Sequence, residues 1–309
     1  MRAWISVVAL GAFSVVGCAE PPTGALAALD QTWVAEPEPQ ALIGWELTDA
    51  AGESFDEFRF AGGWTLVFVG YLSCPDVCPR TTRALGALAE RMGGDMPSVV
   101  FLSVDPARDT PERLTAHAAW AGFPLEAVTG NRAAVDRAVE QLGAGYLLGA
   151  PGADGQYTVD HSTSLFVVDP AGRVAGTILR PTEVERVEGD LRAVLDAGPQ
   201  VSPQLWVADA PAAARARGAY GSVGGGGELR GASSPWFGSV ALHRTIEDGG
   251  LARMEPLAAL PSGATLVPGG AHLMLLDPSA VLEPGALVPL RLHLDGGDVL
   301  AMAPVRPFE

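Results

Sequence analysis

Apolar runs of strand length alternate with helix-like segments over residues 44–195. Trp64–Tyr71 and Val99–Val104 are almost continuously apolar, which is typical of strands buried on both faces of a sheet. Between them, apolar residues recur at helical spacing over Thr81–Met92. Further strands and helices are predicted at Thr163–Val168, at Val174–Leu179, after Thr110-Pro111, at Arg132–Gln141 and at Val184–Leu195. This order predicts a three-layer α/β sandwich over residues 42–198.

The pattern changes after Gly198, a residue suited to ending the last helix. Pro199–Pro203 has the composition of a boundary, and no helix is predicted after Gly221. Short strand-like runs recur instead, at Ser239–His243, Ala264–Val267, His272–Leu276 and Val288–Leu294. The sequence therefore predicts a second domain over residues 199–309, a small antiparallel β-sandwich.

The first residues predict export. Residues 1–17 combine a basic start with an apolar run that is too short to span a bilayer, as in a signal peptide. Small residues then lead into Cys18, which resembles the lipobox of bacterial lipoproteins and implies a lipid on that cysteine. Residues 18–41, which contain four prolines, are predicted to form an extended tether. The alternative is an ordinary signal peptide cleaved slightly later, which leaves Cys18 as a thiol.

Composition narrows the classes of partner. The chain has 20 basic and 36 acidic residues, a formal charge of −16, and every basic residue is Arg. Nucleic acid is a poor partner for this charge, because phosphate binding requires a positive field. With 48% hydrophobic and 18% charged residues, the composition is that of a globular protein and excludes disorder throughout.

Cys74 and Cys78 are the candidate reactive pair. A disulfide is the default for two cysteines of an exported protein, but a bridge this short would constrain the unfolded chain little. The pair follows a predicted strand and begins a helix, whose dipole is expected to lower the pKa of both thiols. Their spacing places both sulfurs on one side of the first turn, as two soft ligands of one copper ion.

One histidine is placed to complete such a site. His161 lies just before the predicted strand Thr163–Val168, whereas His117 lies in a predicted helix and is assigned to the surface or to packing. Asp76, between the cysteines, is interpreted as a solvated carboxylate, with a position near the metal as the alternative. Asp105 and Asp109 are interpreted as turn and capping residues.

Three separated motifs resemble those of the Sco/SenC copper-binding family, namely Gly70–Pro79 (GYLSCPDVCP), Ser103–Pro111 (SVDPARDTP) and Val159–Ser162 (VDHS). The resemblance implies a thioredoxin-like fold for this domain. It also implies copper binding by Cys74, Cys78 and His161, and a role in assembling the dinuclear copper centre of cytochrome c oxidase.

The second domain contains a set of soft and borderline ligands. His243, Met254, His272 and Met274 supply two imidazoles and two thioethers, and His272 and Met274 face the same side of a predicted strand. Thioethers need no deprotonation and form no disulfides, so this set suits Cu(I) in an oxidising compartment. The alternative for each Met is ordinary core packing.

Short segments of this domain resemble the PCuAC family of periplasmic copper chaperones: Ser233–Pro235, Val240–His243, Asp248–Gly250, Met254–Pro256 and Pro268–Leu275. The resemblance implies a cupredoxin-like all-β fold and copper binding by His243, Met254, His272 and Met274. The spacer between Met254 and His272 is shorter than is usual in that family.

We therefore expect an exported, lipid-anchored copper chaperone on the periplasmic side of the cell envelope. It would carry Cu(I), with Cu(II) as an alternative at the first site, to the copper-bearing subunit of cytochrome c oxidase or another copper protein, or between its own domains. The alternative is a thiol-disulfide reductase that keeps the oxidase's copper-binding cysteines reduced through Cys74 and Cys78. A peroxidase fits poorly, because neither the cysteine spacing nor His161 would have a role there.

Overall fold

The first domain is organised around an eight-stranded sheet. The computed structural model describes residues 32–199, 202–248, 251–279 and 281–308, so the predicted signal peptide and Cys18 lie outside the described residues. The strands of this domain are β1 Trp33–Ala35, β2 Leu47–Asp49, β3 Ser54–Phe55, β4 Thr65–Gly70, β5 Ser98–Ser103, β6 Glu126–Thr129, β7 Tyr146–Leu148, β8 Val159–His161, β9 Leu165–Val168 and β10 Val174–Ile178. The sheet has the order β1-β10-β9-β4-β5-β6-β2-β3, and β7 and β8 form a separate hairpin.

Four helices cover the two faces of this sheet. They are α1 Val77–Met92, α2 Pro111–Ala121, α3 Arg132–Gln141 and α4 Val184–Ala197. All six residues of β4 are buried, and alternate residues point to opposite sides. Leu66 and Phe68 pack in one core with α1, α2 and α4, while Val67 and Val69 pack in the other with α3. The predicted three-layer, thioredoxin-like α/β domain is confirmed.

The sequence pattern missed several short strands. β6 has only two buried residues, Ala127 and Val128, between a glutamate and a threonine. β7 and β8 have three residues each, and Leu147 on β7 is exposed. Strands this short have too few alternating positions for a period of two to be recognised.

The domain begins before residue 42, which corrects the extent of the predicted tether. β1 pairs antiparallel with β10, and Trp33 lies opposite Ile178. The Trp33 side chain is buried in the core that contains α1. Residues 32–41 therefore belong to the folded domain, because burial of this indole ties the segment to the sheet.

The second domain is entirely β among its described residues. Its strands are β11 Gln204–Ala208, β12 Ala216–Ser222, β13 Leu229–Ser233, β14 Phe237–Asp248, β15 Leu251–Pro256, β16 Thr265–Leu266, β17 Ala271–Pro278, β18 Leu287–Leu294 and β19 Val299–Arg306. One sheet contains β11-β12-β17-β14-β15 and the other β13-β18-β19, with a shared core between them. The sequence predicted an antiparallel sandwich, and this is wrong for one pair of strands. β11 and β19 pair in parallel and link the two sheets.

No helix in the described ranges combines the length and the apolar character needed to cross a membrane.

Candidate metal centre

The metal centre lies where the parallel strands β4 and β5 end. The chain leaves β4 at Gly70, turns so that the Cys74 amide donates to the Tyr71 carbonyl (3.1 Å), and enters α1 at Val77. β9 runs antiparallel to β4 with Leu165 opposite Phe68, so the residues just before β9 return to the same end of the sheet. This topology brings His161 to the cysteines.

Three side chains converge there, as the sequence predicted. Cys74 Sγ, Cys78 Sγ and one nitrogen of His161 all lie within 4.8 Å of one another. The Cys78 sulfur is 3.4 Å from His161 Nε2, and the Cys78 amide donates to the Cys74 sulfur at 3.5 Å. Both cysteines are free thiols. Within the described ranges, no other group of three or more His, Cys, Asp or Glu side chains comes this close together.

A backbone carbonyl fixes the tautomer of His161. The ring Nδ1 lies 2.9 Å from the Ser162 carbonyl oxygen. Since a carbonyl oxygen only accepts, Nδ1 carries the proton and Nε2 presents its lone pair to the two sulfurs. Two thiolates and one imidazole form the soft, three-coordinate donor set that suits copper.

The expectation of lowered thiol pKa values is wrong for Cys78. Burial raises the pKa of this thiol far above its ordinary range, because its side chain points inward from the first turn of α1. Desolvation of the thiolate outweighs the favourable field of the helix N-terminus. A metal ion that binds Cys78 therefore has to displace a proton.

Gly70 provides the space for the Cys78 sulfur. A Cβ at Gly70 would lie 2.7 Å from Cys78 Sγ and 2.9 Å from the ring of Phe101. Both contacts are shorter than a real Cβ tolerates. Sequence reasoning quoted Gly70 as part of a motif but gave it no role.

Asp109 holds the loop that precedes the cysteines. Its fully buried carboxylate accepts hydrogen bonds from Ser103 Oγ (2.6 Å) and from the Leu72 amide (2.9 Å). Burial raises the pKa of this carboxyl group. Arg113 lies 3.4 Å from the same carboxylate and donates to Ser73 Oγ at 3.2 Å. Asp109 is therefore a support of the site, not only the turn or capping residue that was predicted.

A second network, the Arg108 clasp (Asp105, Arg108 and Tyr157), holds the hairpin that carries His161. Buried Asp105 pairs with Arg108 and accepts from the Tyr157 hydroxyl at 2.7 Å. Arg108 Nη1 donates to the Tyr157 carbonyl at 2.9 Å, and its guanidinium carbon lies 3.6 Å from the centre of the Tyr157 ring. Asp105 thus ties the loop after β5 to the segment leading into β8. Neither Arg108 nor Tyr157 was singled out from the sequence, although Arg108 lies in a quoted motif.

Two minor predictions agree with the structure. The Asp76 carboxylate is 68% exposed and lies 3.7 Å from Arg80, so it is a solvated group at the start of α1. The His117 ring packs between Phe101 and Trp120, with ring centres 4.9 and 5.6 Å away.

The second predicted ligand set lies on the outer face of the sheet β11-β12-β17-β14-β15. His243 and His272 are direct cross-strand neighbours, with ring centres 6.3 Å apart. Met274 lies opposite Ala241, two residues from His243 along β14, and Met254 lies opposite Thr245, two residues away in the other direction. The period of two therefore puts all four candidate ligands on the same face.

The two imidazoles of this set are oriented for a ligand. His272 is buried, and its Nδ1 donates to the Gly270 carbonyl at 3.0 Å, which leaves the lone pair on Nε2. His243 Nδ1 is buried and has no hydrogen-bond partner among the described residues. Met254 is 51% exposed. A buried, unpaired ring nitrogen is costly in a protein and suits a site that a metal ion completes.

The chain matches two family models. The SCO1/SenC model matches residues 35–196, and the LpqE-like lipoprotein model, which is of the PCuAC type, matches residues 194–305. A Stutzerimonas stutzeri protein whose name designates it as copper-binding is 31% identical over 167 residues, which cover 52% of this chain and 79% of that protein.

Protein SenC of Rhodobacter capsulatus is 39% identical over 137 residues, which cover 43% of this chain and 61% of SenC, less than two thirds of its length. Among solved structures, Bradyrhizobium japonicum ScoI with copper bound has 31% sequence identity and a TM-score of 0.43, and the match covers 49% of this chain and 98% of that chain. By its match over residues 35–196, the chain belongs to the SCO1/SenC family, and an LpqE-like domain follows.

Proposed function

We propose that this protein is a copper chaperone of the cell envelope. It binds copper through Cys74, Cys78 and His161 and delivers it to the copper-bearing subunit of cytochrome c oxidase for assembly of the dinuclear copper centre. The convergence of two free thiols and an oriented imidazole within 4.8 Å is the observation that carries this proposal. The name of the Stutzerimonas stutzeri relative, which designates it as copper-binding, supports the same metal.

The second copper site consists of His243, Met254, His272 and Met274. Their position on one face of the sheet supports this assignment, as does the unpaired ring nitrogen of His243. Neutral imidazoles and thioethers hold Cu(I) without releasing protons, so this site keeps copper where thiols are readily oxidised.

The protein is exported and anchored to the membrane by a lipid on Cys18, which faces it to the periplasmic side. The signal-like residues 1–17 and the LpqE-like lipoprotein match support this location. Globomycin, which blocks signal cleavage of lipoproteins, should cause the uncleaved form to accumulate in expressing cells. Normal processing of a Cys18→Ala variant would contradict the anchor.

A thiol-disulfide reductase is the second candidate function, and the unequal exposure of the two cysteines favours it. Cys74 is partly exposed and Cys78 is buried. The Cys74 thiolate would attack a partner disulfide and release one partner thiolate. Cys78 would then attack the Cys74 sulfur, forming the Cys74–Cys78 disulfide and releasing the second partner thiol. The partner is reduced by two electrons, which this pair supplies.

An anaerobic Cu(I) titration against a competing chelator tests the chaperone function. The reduced chain should bind two copper ions tightly. Cys74→Ser/Cys78→Ser and His243→Ala/His272→Ala should each bind one, and the control His293→Ala should still bind two. Copper binding that is unaffected by loss of the cysteines would restrict copper to the second domain and assign the first domain to thiol reduction.

A further inference from the structure

The two domains pack against each other through a defined interface. Leu300 of β19 is fully buried, yet it lies outside the cores of both domains. Its amide donates to the Ala171 carbonyl at 2.8 Å, and its side chain covers Gly172, where a Cβ would lie 2.6 Å from Leu300 Cδ1. Ala171, from the turn between β9 and β10, packs in the core of the second domain. The first domain thus covers the outer face of the hairpin β18–β19.

An ion pair closes the same interface. Arg291 Nη2 donates to Glu57 Oε1, and the two side chains are 21% and 7% exposed. The second oxygen of Glu57 accepts from the Trp45 amide at 3.1 Å. Arg291 is the cross-strand neighbour of Leu300, so both contacts come from one patch of the hairpin. We call the pair Glu57–Arg291 the domain clasp.

The interface lies at the opposite end of the first domain from the cysteines. β9 ends at Val168, which is opposite Thr65, the first residue of β4, and the turn containing Ala171 follows. The Cys74 loop instead follows Gly70, the last residue of β4. The strand between these two ends measures about 17 Å at the usual rise per residue.

The His/Met set also faces away from the interface. Leu242 and Leu273, the neighbours of His243 and His272, point into the core of the sandwich, so the two histidines point outward from their sheet. Arg291 and Leu300 point outward from the other sheet. The path between the two copper sites therefore crosses the length of β4, about 17 Å, and the thickness of the sandwich, about 10 Å.

The segment that connects the domains is too short to bring the two copper sites together. Glu183 and Val77 line one cavity, so α4 begins near the metal-site end and runs back towards the interface. It ends at Ala197, and β11 begins at Gln204. The residues between them span at most about 20 Å when fully extended.

We propose, on the basis of the function assigned above, that the two copper sites of one chain do not exchange copper with each other. Ligand exchange requires donor and acceptor ligands to contact the same ion, and the docked domains prevent such contact. The chain therefore handles two copper ions independently. Copper passes between a His/Met site and a Cys/His site only when two copies of the chain meet.

The kinetic order of the exchange tests this inference. Cys74 of the full chain, the partly exposed cysteine, is blocked with a photocleavable nitrobenzyl group, and one equivalent of Cu(I) is bound at the His/Met site. A flash frees the Cys74 thiol and completes the first site, and freeze-quenched X-ray absorption follows the change from His/Met to thiolate ligation. We expect the rate to rise in proportion to protein concentration. A rate independent of concentration would overturn the inference.

A second variant tests whether the docking of the two domains is what prevents copper exchange within one chain. Arg291→Ala, which leaves Glu57 buried without its partner, combined with a flexible Gly/Ser insertion of about 40 residues after Gly198, should gain a concentration-independent phase about tenfold or more faster than exchange at micromolar protein. Arg215→Gln with no insertion is the control, because its ion pair with Asp277 is exposed, and it should remain second order. No new phase in the long-linker variant would also count against the inference. The Cu(I) titration measures copper binding at the two sites independently of these kinetics. A failure of the proposed function is therefore distinguishable from a failure of this inference.

Discussion

Gly70 illustrates how an absent side chain positions a ligand. The last residue of β4 leaves room for the Cys78 sulfur and the ring of Phe101, and that room places the sulfur 3.4 Å from His161 Nε2. A methyl group there has to displace either the sulfur or the ring, and both are buried. Overpacking of this kind costs about 1–3 kcal/mol.

We therefore expect Gly70→Ala to weaken copper binding at the first site about tenfold and to lower the free energy of unfolding by about 1–3 kcal/mol. Chelator competition and urea unfolding measure the two effects. Gly63→Ala is the matched control, since its Cβ would meet nothing within 4 Å. Unchanged affinity in Gly70→Ala would mean that the sulfur position is not set by this contact.

His161 separates the two candidate functions. In the proposed function it supplies one of three copper ligands, whereas disulfide exchange between the cysteines does not require it. His161→Ala should weaken copper binding at the first site by more than about 100-fold, beyond the effect of losing an outer-shell partner. The rate of reduction of a test disulfide should stay within a few-fold of the unsubstituted chain. His117→Ala should change neither property, and equal loss of both in His161→Ala would refute the assigned roles.

Asp169 gives the first domain a pH-dependent stability. Burial raises the pKa of this carboxyl group to about 6, although it accepts hydrogen bonds from the Ala171 and Arg173 amides. Its folded pKa lies above the unfolded value of about 3.9, so its stabilising effect is complete below pH 4 and is lost as the pH rises through about 6. With Asp169 in place, this group should lower the free energy of unfolding by roughly 2–3 kcal/mol as the pH rises from 4 to 7. Asp169→Asn should abolish that decrease. Urea unfolding between pH 4 and 7 measures the difference, and parallel curves would contradict it.

At the scale of elements, the hairpin β7–β8 depends on its attachment more than on its own length. Its strands are short, and the Arg108 clasp ties the segment before β8 to the loop after β5. The ligand His161 could be predicted from the sequence, because it directly precedes a recognisable buried strand. The hairpin that carries it could not, because three-residue strands leave no readable period.

Loosening the Arg108 clasp should lower the copper affinity of the first site, because the clasp holds the hairpin that carries His161. Tyr157→Phe removes only the hydroxyl bonded to Asp105, and we expect copper affinity to fall about tenfold. Amide hydrogen exchange should accelerate over residues 159–161 and stay unchanged in β4. Arg137→Gln, which removes an exposed contact with Glu46 at 3.8 Å and a hydrogen bond to the Gly44 carbonyl, is the control. Weaker copper binding without faster amide exchange in the hairpin would place the effect elsewhere.

For the whole molecule, the division into two domains could be predicted, but their docking could not. The change from helical to strand patterning after Gly198 marks the two units in the sequence. Leu300 has the outward register of a surface residue on β19, yet it is fully buried and packs against Gly172 of the first domain. Glu57 and Arg291 are so distant in the chain that no local pattern connects them. The parallel pairing of β11 with β19 was missed for the same reason.

Removing one partner of the domain clasp should cost more stability than replacing both partners. Arg291→Ala leaves Glu57 buried without its partner and should lower the free energy of unfolding by about 3 kcal/mol. The double variant Glu57→Gln/Arg291→Met should recover most of that loss, because neither side chain then buries a charge. Calorimetry of both variants measures the difference. Equal destabilisation would mean that the pair contributes little beyond packing.

Leu300 also has a consequence for any shortened form of the protein. Because this residue packs against Gly172 of the first domain, a fragment beginning near residue 199 would lose that contact and expose more of an apolar side chain on the outer face of β18 and β19. Cleavage between the domains would also remove Ala171 from the core of the second half and leave Arg291 without Glu57, so the separated second half should unfold more readily than it does in the intact chain. Recombination that separated these two halves into individual genes would therefore give up contacts that stabilise the second half.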